Sequence, residues 1–135
     1  MERLERRKFH SLCRAGEALT LNFGKTLWTE VRDGITRQLP EFSLHVQAPW
    51  QFLEGETVLL ASDGDDADLT KKLENSTVLS VKTEENADLT IEFSCGVTFR
   101  LRVGDLPKAE FWRMIDFRTG ENKAMFDMEP EFGWF

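Results

Sequence analysis

The sequence holds two histidines, His10 and His45, and two cysteines, Cys13 and Cys95. A histidine-based zinc site needs further ligands at short spacing, and neither histidine has them. The cysteines match no metal-binding or redox spacing, so two free thiols are expected. Cys95 falls in a turn and would become a nucleophile only beside a histidine, for which the sequence gives no reason. No phosphate-cradling glycine loop, Gly-x-Ser-x-Gly elbow or His-Glu-x-x-His motif occurs. Asp63, Asp65, Asp66 and Asp68, followed by Glu74, partly fit a calcium loop. The fit fails at Ala67 and at Asp68, where the sharp turn needs glycine. A solvated turn capping a helix is the expectation instead, with no metal and no cofactor.

What remains for a site is a set of polar and aromatic residues that follow two similar strands: His45, Trp50, Trp112, Arg113 and Asp116. Together they could line a pocket for a ligand or partner. The favoured reading is that the two tryptophans anchor the two halves of the core and that His45 is a surface or partly packed residue.

The elements that must position these residues announce themselves by alternation. Leu19, Leu21 and Phe23 point one way, and Thr20 and Asn22 the other. Phe42-Val46, Leu89-Phe93 and Phe99-Val103 show the same period of two, which marks strands with one wet face. Ser94-Cys95-Gly96 predicts a hairpin turn, and Glu84 to Asp88 another, preceded by a strand over 77–82. A short strand over 57–61 ends at the turn Ser62-Asp63-Gly64. Leu27, Val31, Ile35 and Leu39 recur every four residues, which predicts a helix from Thr26 to Pro40, weakened by Gly34. A second short helix is expected over about 66–74, with acidic residues first and lysines after.

The alternating runs come in two sets. Leu19-Phe23 then Phe42-Val46 then Trp50 resembles Leu89-Phe93 then Phe99-Val103 then Trp112. Leu4 to Leu12 matches Leu73 to Val81 in its apolar positions. One domain, 1–135, is expected, made of repeat units at about 4–62 and 73–127 that share one core. The fold class is mainly β: two similar β-units in one sandwich- or barrel-like domain, with one or two short helices. The first unit carries an extra segment from Lys25 to Glu41.

Three short pieces together carry a family resemblance. They are Leu44-His45-Val46-Gln47-Ala48-Pro49-Trp50-Gln51-Phe52, then Ala61-Ser62-Asp63-Gly64-Asp65, then Phe111-Trp112-Arg113. The chain resembles an uncharacterised family of small bacterial proteins with a His-x-Gln-x-Pro-Trp segment and a C-terminal aromatic-Trp-Arg segment. It departs from that pattern at Ala48, where a cysteine is common, and at Ala61, the first turn position. The resemblance implies no established activity; some members look like accessory or immunity-type proteins.

Bulk properties narrow the class. With 135 residues, 41% apolar and 30% charged, the chain can build a core without a staple. Eleven Phe and four Trp must be buried in a core or an interface. A net charge of −7 repels phosphate backbones, so no nucleic-acid partner is expected. Arg3, Arg6, Arg7 and Lys8 are interleaved with acidic residues and make a solvated face. No apolar run reaches signal-peptide or membrane-spanning length, so a cytoplasmic protein without a membrane contact is expected. Phe132, Trp134 and Phe135 lie at the chain end, where rings are costly to expose, and a homodimer through them is expected. The functional expectation is a non-catalytic binding protein. The alternative is a small-molecule or enzyme site between the two units.

Overall fold

A computed structural model describes residues 4–15, 18–61, 68–105 and 112–118. The strands are β1 (Phe9–Ala15), β2 (Ala18–Arg32), β3 (Ile35–Val46), β4 (Trp50–Glu54), β5 (Thr57–Ala61), β6 (Val78–Thr83), β7 (Leu89–Phe93), β8 (Val97–Leu101) and β9 (Trp112–Asp116). One helix, α1 (Leu69–Leu73), precedes β6. The strands form two antiparallel sheets, ordered β1-β2-β3-β9 and β5-β4-β8-β7-β6. The protein is mainly β, and the sheets pack on one shared core.

Alternation builds that core. Leu21, Phe23, Leu44, Val46, Leu89, Ile91, Phe93, Leu101 and Val103 are all buried, while Thr20, Asn22, Thr90 and Arg100 between them are only partly covered. Each apolar strand face hides from water against the facing sheet, which is what a period of two dictates. The turns expected at Glu84 to Asp88 and Ser94 to Gly96 link β6 to β7 and β7 to β8. Gly96 at φ +92° supplies the left-handed residue the second one needs.

The repeat has a physical form. In the first half β1, β2 and β3 pair in succession; in the second, β6, β7 and β8 do. The next strand of each half crosses over. β4 pairs with β8, and β9 pairs with β3. Trp50 thereby lies opposite Leu101, and Trp112 opposite Val46, at matching places in the two sheets. The halves meet where Lys8 bridges Thr77. There Phe9 N–H donates to the Ser76 carbonyl at 2.9 Å, and Val78 N–H to the Arg7 carbonyl at 2.8 Å. Gly24 N–H reaches the Lys8 carbonyl, and Ser94 N–H reaches that of Thr77, at 2.7 and 2.8 Å. These bonds exchange under a local twofold relation. On it the equivalent rings Phe23 and Phe93 stack, with centroids 6.2 Å apart. The first half gives β4 and β5 to the sheet of the second, which gives β9 in return, so neither can complete its sheet alone.

One of the two helix expectations needs correction. The segment 26–40 is not helical: it forms the outer parts of β2 and β3, joined by Asp33-Gly34. The spacing of four belongs to two antiparallel strands, and both turn residues have positive φ, 53° and 78°. A helix cannot accommodate that pair, whereas a two-residue type I′ hairpin demands it. The shorter helix exists as one turn, Leu69–Leu73, with Leu69 and Leu73 buried. The aspartates at 63, 65 and 66 lie outside the described residues; Asp68 is exposed and makes no side-chain cap bond. Phe132, Trp134 and Phe135 also lie outside them. Among the described residues, no helix is long and apolar enough to cross a membrane.

Candidate functional site

The two halves differ at one hairpin. In the second half β7 and β8 are closed by Ser94, Cys95 and Gly96. At the matching place in the first half β2 and β3 run on to Asp33-Gly34 as a two-stranded arm. Register carries it from Thr26, opposite Pro40, to Arg32, opposite Ile35. Thr29, Val31, Ile35 and Thr36 are β-branched and favour this extended ribbon.

The arm stands clear of the sandwich. Every described side chain from Lys25 to Gln38 is exposed, on both faces of the ribbon. Four of them are large and apolar: Leu27 is 41% exposed, Trp28 43%, Val31 69% and Ile35 61%. Register places Trp28, Leu39 and Ile35 on one face and Thr29, Val31, Thr36 and Gln38 on the other. An isolated two-stranded ribbon is marginal in water, and a free-standing one with apolar residues on it calls for a cover.

The root of the arm is pinned. Gly24, at φ +89°, begins an irregularity in the register. A Cβ there would lie 2.5 Å from Glu41 Oε1, so only glycine fits. The buried Glu41 carboxylate accepts the Lys25 backbone N–H at 2.8 Å and Arg7 Nη1 at 3.1 Å. The guanidinium groups of Arg7 and Arg118 lie over the Phe42 ring, 5.5 and 4.6 Å from its centre. Asp116 fixes Arg118 through bonds from Nε at 3.0 Å and from Nη2 at 2.7 Å. Thr26 Oγ1 is hydrogen-bonded to His10 Nε2 at 2.9 Å, tying the arm to β1. The arm is therefore held firmly at its base, while its described side chains are exposed along its length.

The five residues singled out by sequence sit in different settings. His45 on β3 and Arg113 on β9 are register partners, on the sheet face opposite Leu44 and Val46. Trp112 and Trp50 are buried, 2% and 1% exposed, in the shared core. Trp112 Nε1 donates to the Ala87 carbonyl at 2.7 Å, and the Arg14 guanidinium lies over the Trp50 ring at 5.1 Å. Asp116 belongs to the root of the arm. The structure thus joins His45 to Arg113 and Asp116 to Arg118, and commits both tryptophans to packing. Among the described residues, no three His, Cys, Asp or Glu side chains gather as metal ligands. Nothing in its local sequence marks Trp28; the Asp33-Gly34 pair between β-branched residues is the signal for its hairpin.

His45 and His10 are both held below the ordinary histidine pKa by burial, and the charge of Arg113 adds to this at His45. On acidification the unfolded chain takes up these protons near its ordinary value of about 6.5, while the folded chain resists. Stability therefore falls as pH drops from about 7 to about 5. A His10→Gln/His45→Gln variant should lose less melting temperature over that range. An equally steep fall in the variant would contradict the assignment.

Comparison with family models, curated proteins and solved structures returns no match to this chain.

Proposed function

We propose that this protein is a non-catalytic binding protein of accessory or immunity type, and that the β2–β3 arm is the element that takes its partner. The observation that carries this reading is the difference between the two halves. Three residues close the hairpin of the second half, so the fold does not require the long ribbon of the first. A ribbon that exposes Leu27, Trp28, Val31 and Ile35 is a liability unless something binds it. The likeness to a family with accessory and immunity-type members supports the same reading.

Charge supports a division of labour. Lys25, Arg32 and Arg37 against Glu30 and Asp33 give the segment 25–39 a formal charge of +1. The whole chain carries −7, which leaves −8 for the remainder. That acidic remainder would steer a basic protein partner, and the apolar arm would anchor it. In a reducing cytoplasm the exposed Cys13 and Cys95 would stay as thiols.

The test is affinity capture from native cell extract, at low and high salt, with the full chain and a Trp28→Ser/Ile35→Ser variant. Both side chains are exposed, so their loss should leave the fold intact. The parent should enrich a partner, less so at high salt, and the variant should lose it. Equal capture by both proteins would overturn the reading.

A further inference from the structure

We propose that the arm is a stiff strap on a hinge, and that a side-chain latch, His10 on Thr26 with Glu41 on Lys25, rather than the β ladder, sets its angle to the sandwich. This rests on the reading of the arm as the binding element, and it names what orients that element.

The ladder is interrupted at the root. From Phe23, opposite Phe42, to Trp28, opposite Leu39, β2 advances five residues while β3 advances three. Two bulges therefore follow each other, one on each side of Thr26. A bulge leaves a residue unpaired and bends its strand. Thr26 itself lies opposite Pro40, which has no N–H to give. Gly24, at φ +89°, opens the irregular stretch. Beyond it the register runs unbroken from Trp28–Leu39 to Arg32–Ile35 and closes in a two-residue turn. A regular ribbon beyond a double bulge is a stiff body on a soft joint. No burial stiffens that joint from above, since every described side chain from Lys25 to Gln38 is exposed.

Side chains take over where the ladder fails. His10 is the extra residue of a bulge in β1, between Phe9 and Ser11, and a bulge re-aims its side chain. Its Nε2 meets Thr26 Oγ1 at 2.9 Å. The ring is held from its other side by a chain of bonds. Buried Ser43 donates through Oγ to Asn22 Oδ1 at 2.5 Å, and Asn22 Nδ2 donates to Ser11 Oγ at 3.0 Å. The Ser11 proton is left for His10 Nδ1, 2.7 Å away, and Nε2–H then donates to Thr26. The second tie is the Lys25 N–H on the Glu41 carboxylate, which Arg7 holds in place.

The second half carries the same bulge without the latch. Between Val78 and Ser80 stands Leu79, 58% exposed, at the position of His10. Its hairpin closes in three residues and has no arm to hold. Latch and arm thus occur together, in one half only. Two side-chain ties are weak against the burial of Trp28 and Ile35, so a partner that covers those residues can draw the strap off its latch.

The experiment measures residual dipolar couplings of the backbone amides in the weakly aligned, isotopically labelled full chain. In the parent, arm and sandwich should share one alignment frame and one degree of order. In His10→Ala the arm should still fit a regular hairpin, but its order should fall by roughly a third or more relative to the sandwich. Thr26→Val removes the same bond from the other side and should do the same. The double variant His10→Ala/Thr26→Val should be no worse than either single one. A merely structural role for His10 would lower the melting temperature and leave the order of the arm equal to that of the sandwich. If His10→Ala fails to fold, Thr26→Val, at an exposed position, decides. Unchanged order in Thr26→Val overturns the proposal. So does a parent arm already less ordered than the sandwich, or a variant arm whose couplings no longer fit a hairpin. Unchanged order with capture still dependent on Trp28 and Ile35 would sink the latch and leave the functional reading standing. Loosened arms without capture in the parent would do the reverse.

Discussion

Replacing Phe93 by alanine is expected to cost about 3–5 kcal/mol of folding stability. Phe93 is 2% exposed, stacks on Phe23 and meets Phe9 edge to face with centroids 6.5 Å apart. Those three rings join β1, β2 and β7 across the two sheets, at the place where the halves exchange hydrogen bonds. Alanine would leave a cavity walled by rigid strands with little freedom to collapse. Urea unfolding measures the loss directly. A midpoint within error of the parent's would mean that the sheets do not meet through this ring.

Trp112→Ala should cost a similar ~3–5 kcal/mol. The informative companion is Trp112→Phe. Phenylalanine keeps most of the buried area but cannot donate to the Ala87 carbonyl, which Trp112 Nε1 reaches at 2.7 Å. Stranding that buried acceptor should cost about 1–3 kcal/mol. Trp112 begins the strand that the second half donates to the first, and its hydrogen bond runs back to the β6–β7 turn. It therefore ties the donated strand to its own half. A stability of Trp112→Phe within error of the parent's would show that area alone matters and that the bond contributes nothing.

Much of the fold is legible because half-buried antiparallel strands write a period of two. Leu19-Phe23, Phe42-Val46 and Leu89-Phe93 all lie on strands with the expected face buried. The repeat is visible for the same reason, since each half uses the same alternating letters before its tryptophan. The donation of β4 and β9 between halves is not legible, because strand order depends on tertiary packing that a local pattern does not record. The arm reads as a helix in the sequence and is not one. Leu27, Val31, Ile35 and Leu39 share a spacing of four, but they lie on two strands with a turn between them. Exposed strands lack the alternation that a buried face imposes, so helical spacing arises without a helix. Asp33-Gly34 between β-branched residues is the stronger signal.

The site residues follow the same logic. Trp50 and Trp112 stand out by size and position, and both are core residues. Asp116 stands out as a polar residue on the second tryptophan strand. Its partner Arg118, with Arg7 and Glu41, shows it to be part of the footing of the arm. Trp28 and Ile35 go unmarked as binding residues because nothing local separates an exposed ribbon from a buried helix face. The distinction lies in the bare surroundings of the folded arm.

The most direct measurement of the central claim is excision of the arm. Residues 24–41 are replaced by Ser-Ser-Gly, after the turn that closes the sister hairpin, so that Phe23 and Phe42 remain paired. The chain should fold to the same sandwich, with a β-type circular dichroism spectrum and a cooperative melt. It should also lose capture of the partner that the parent enriches. A folded, arm-less chain that still captures that partner would contradict the account, as would one that cannot fold because the sandwich needs the ribbon.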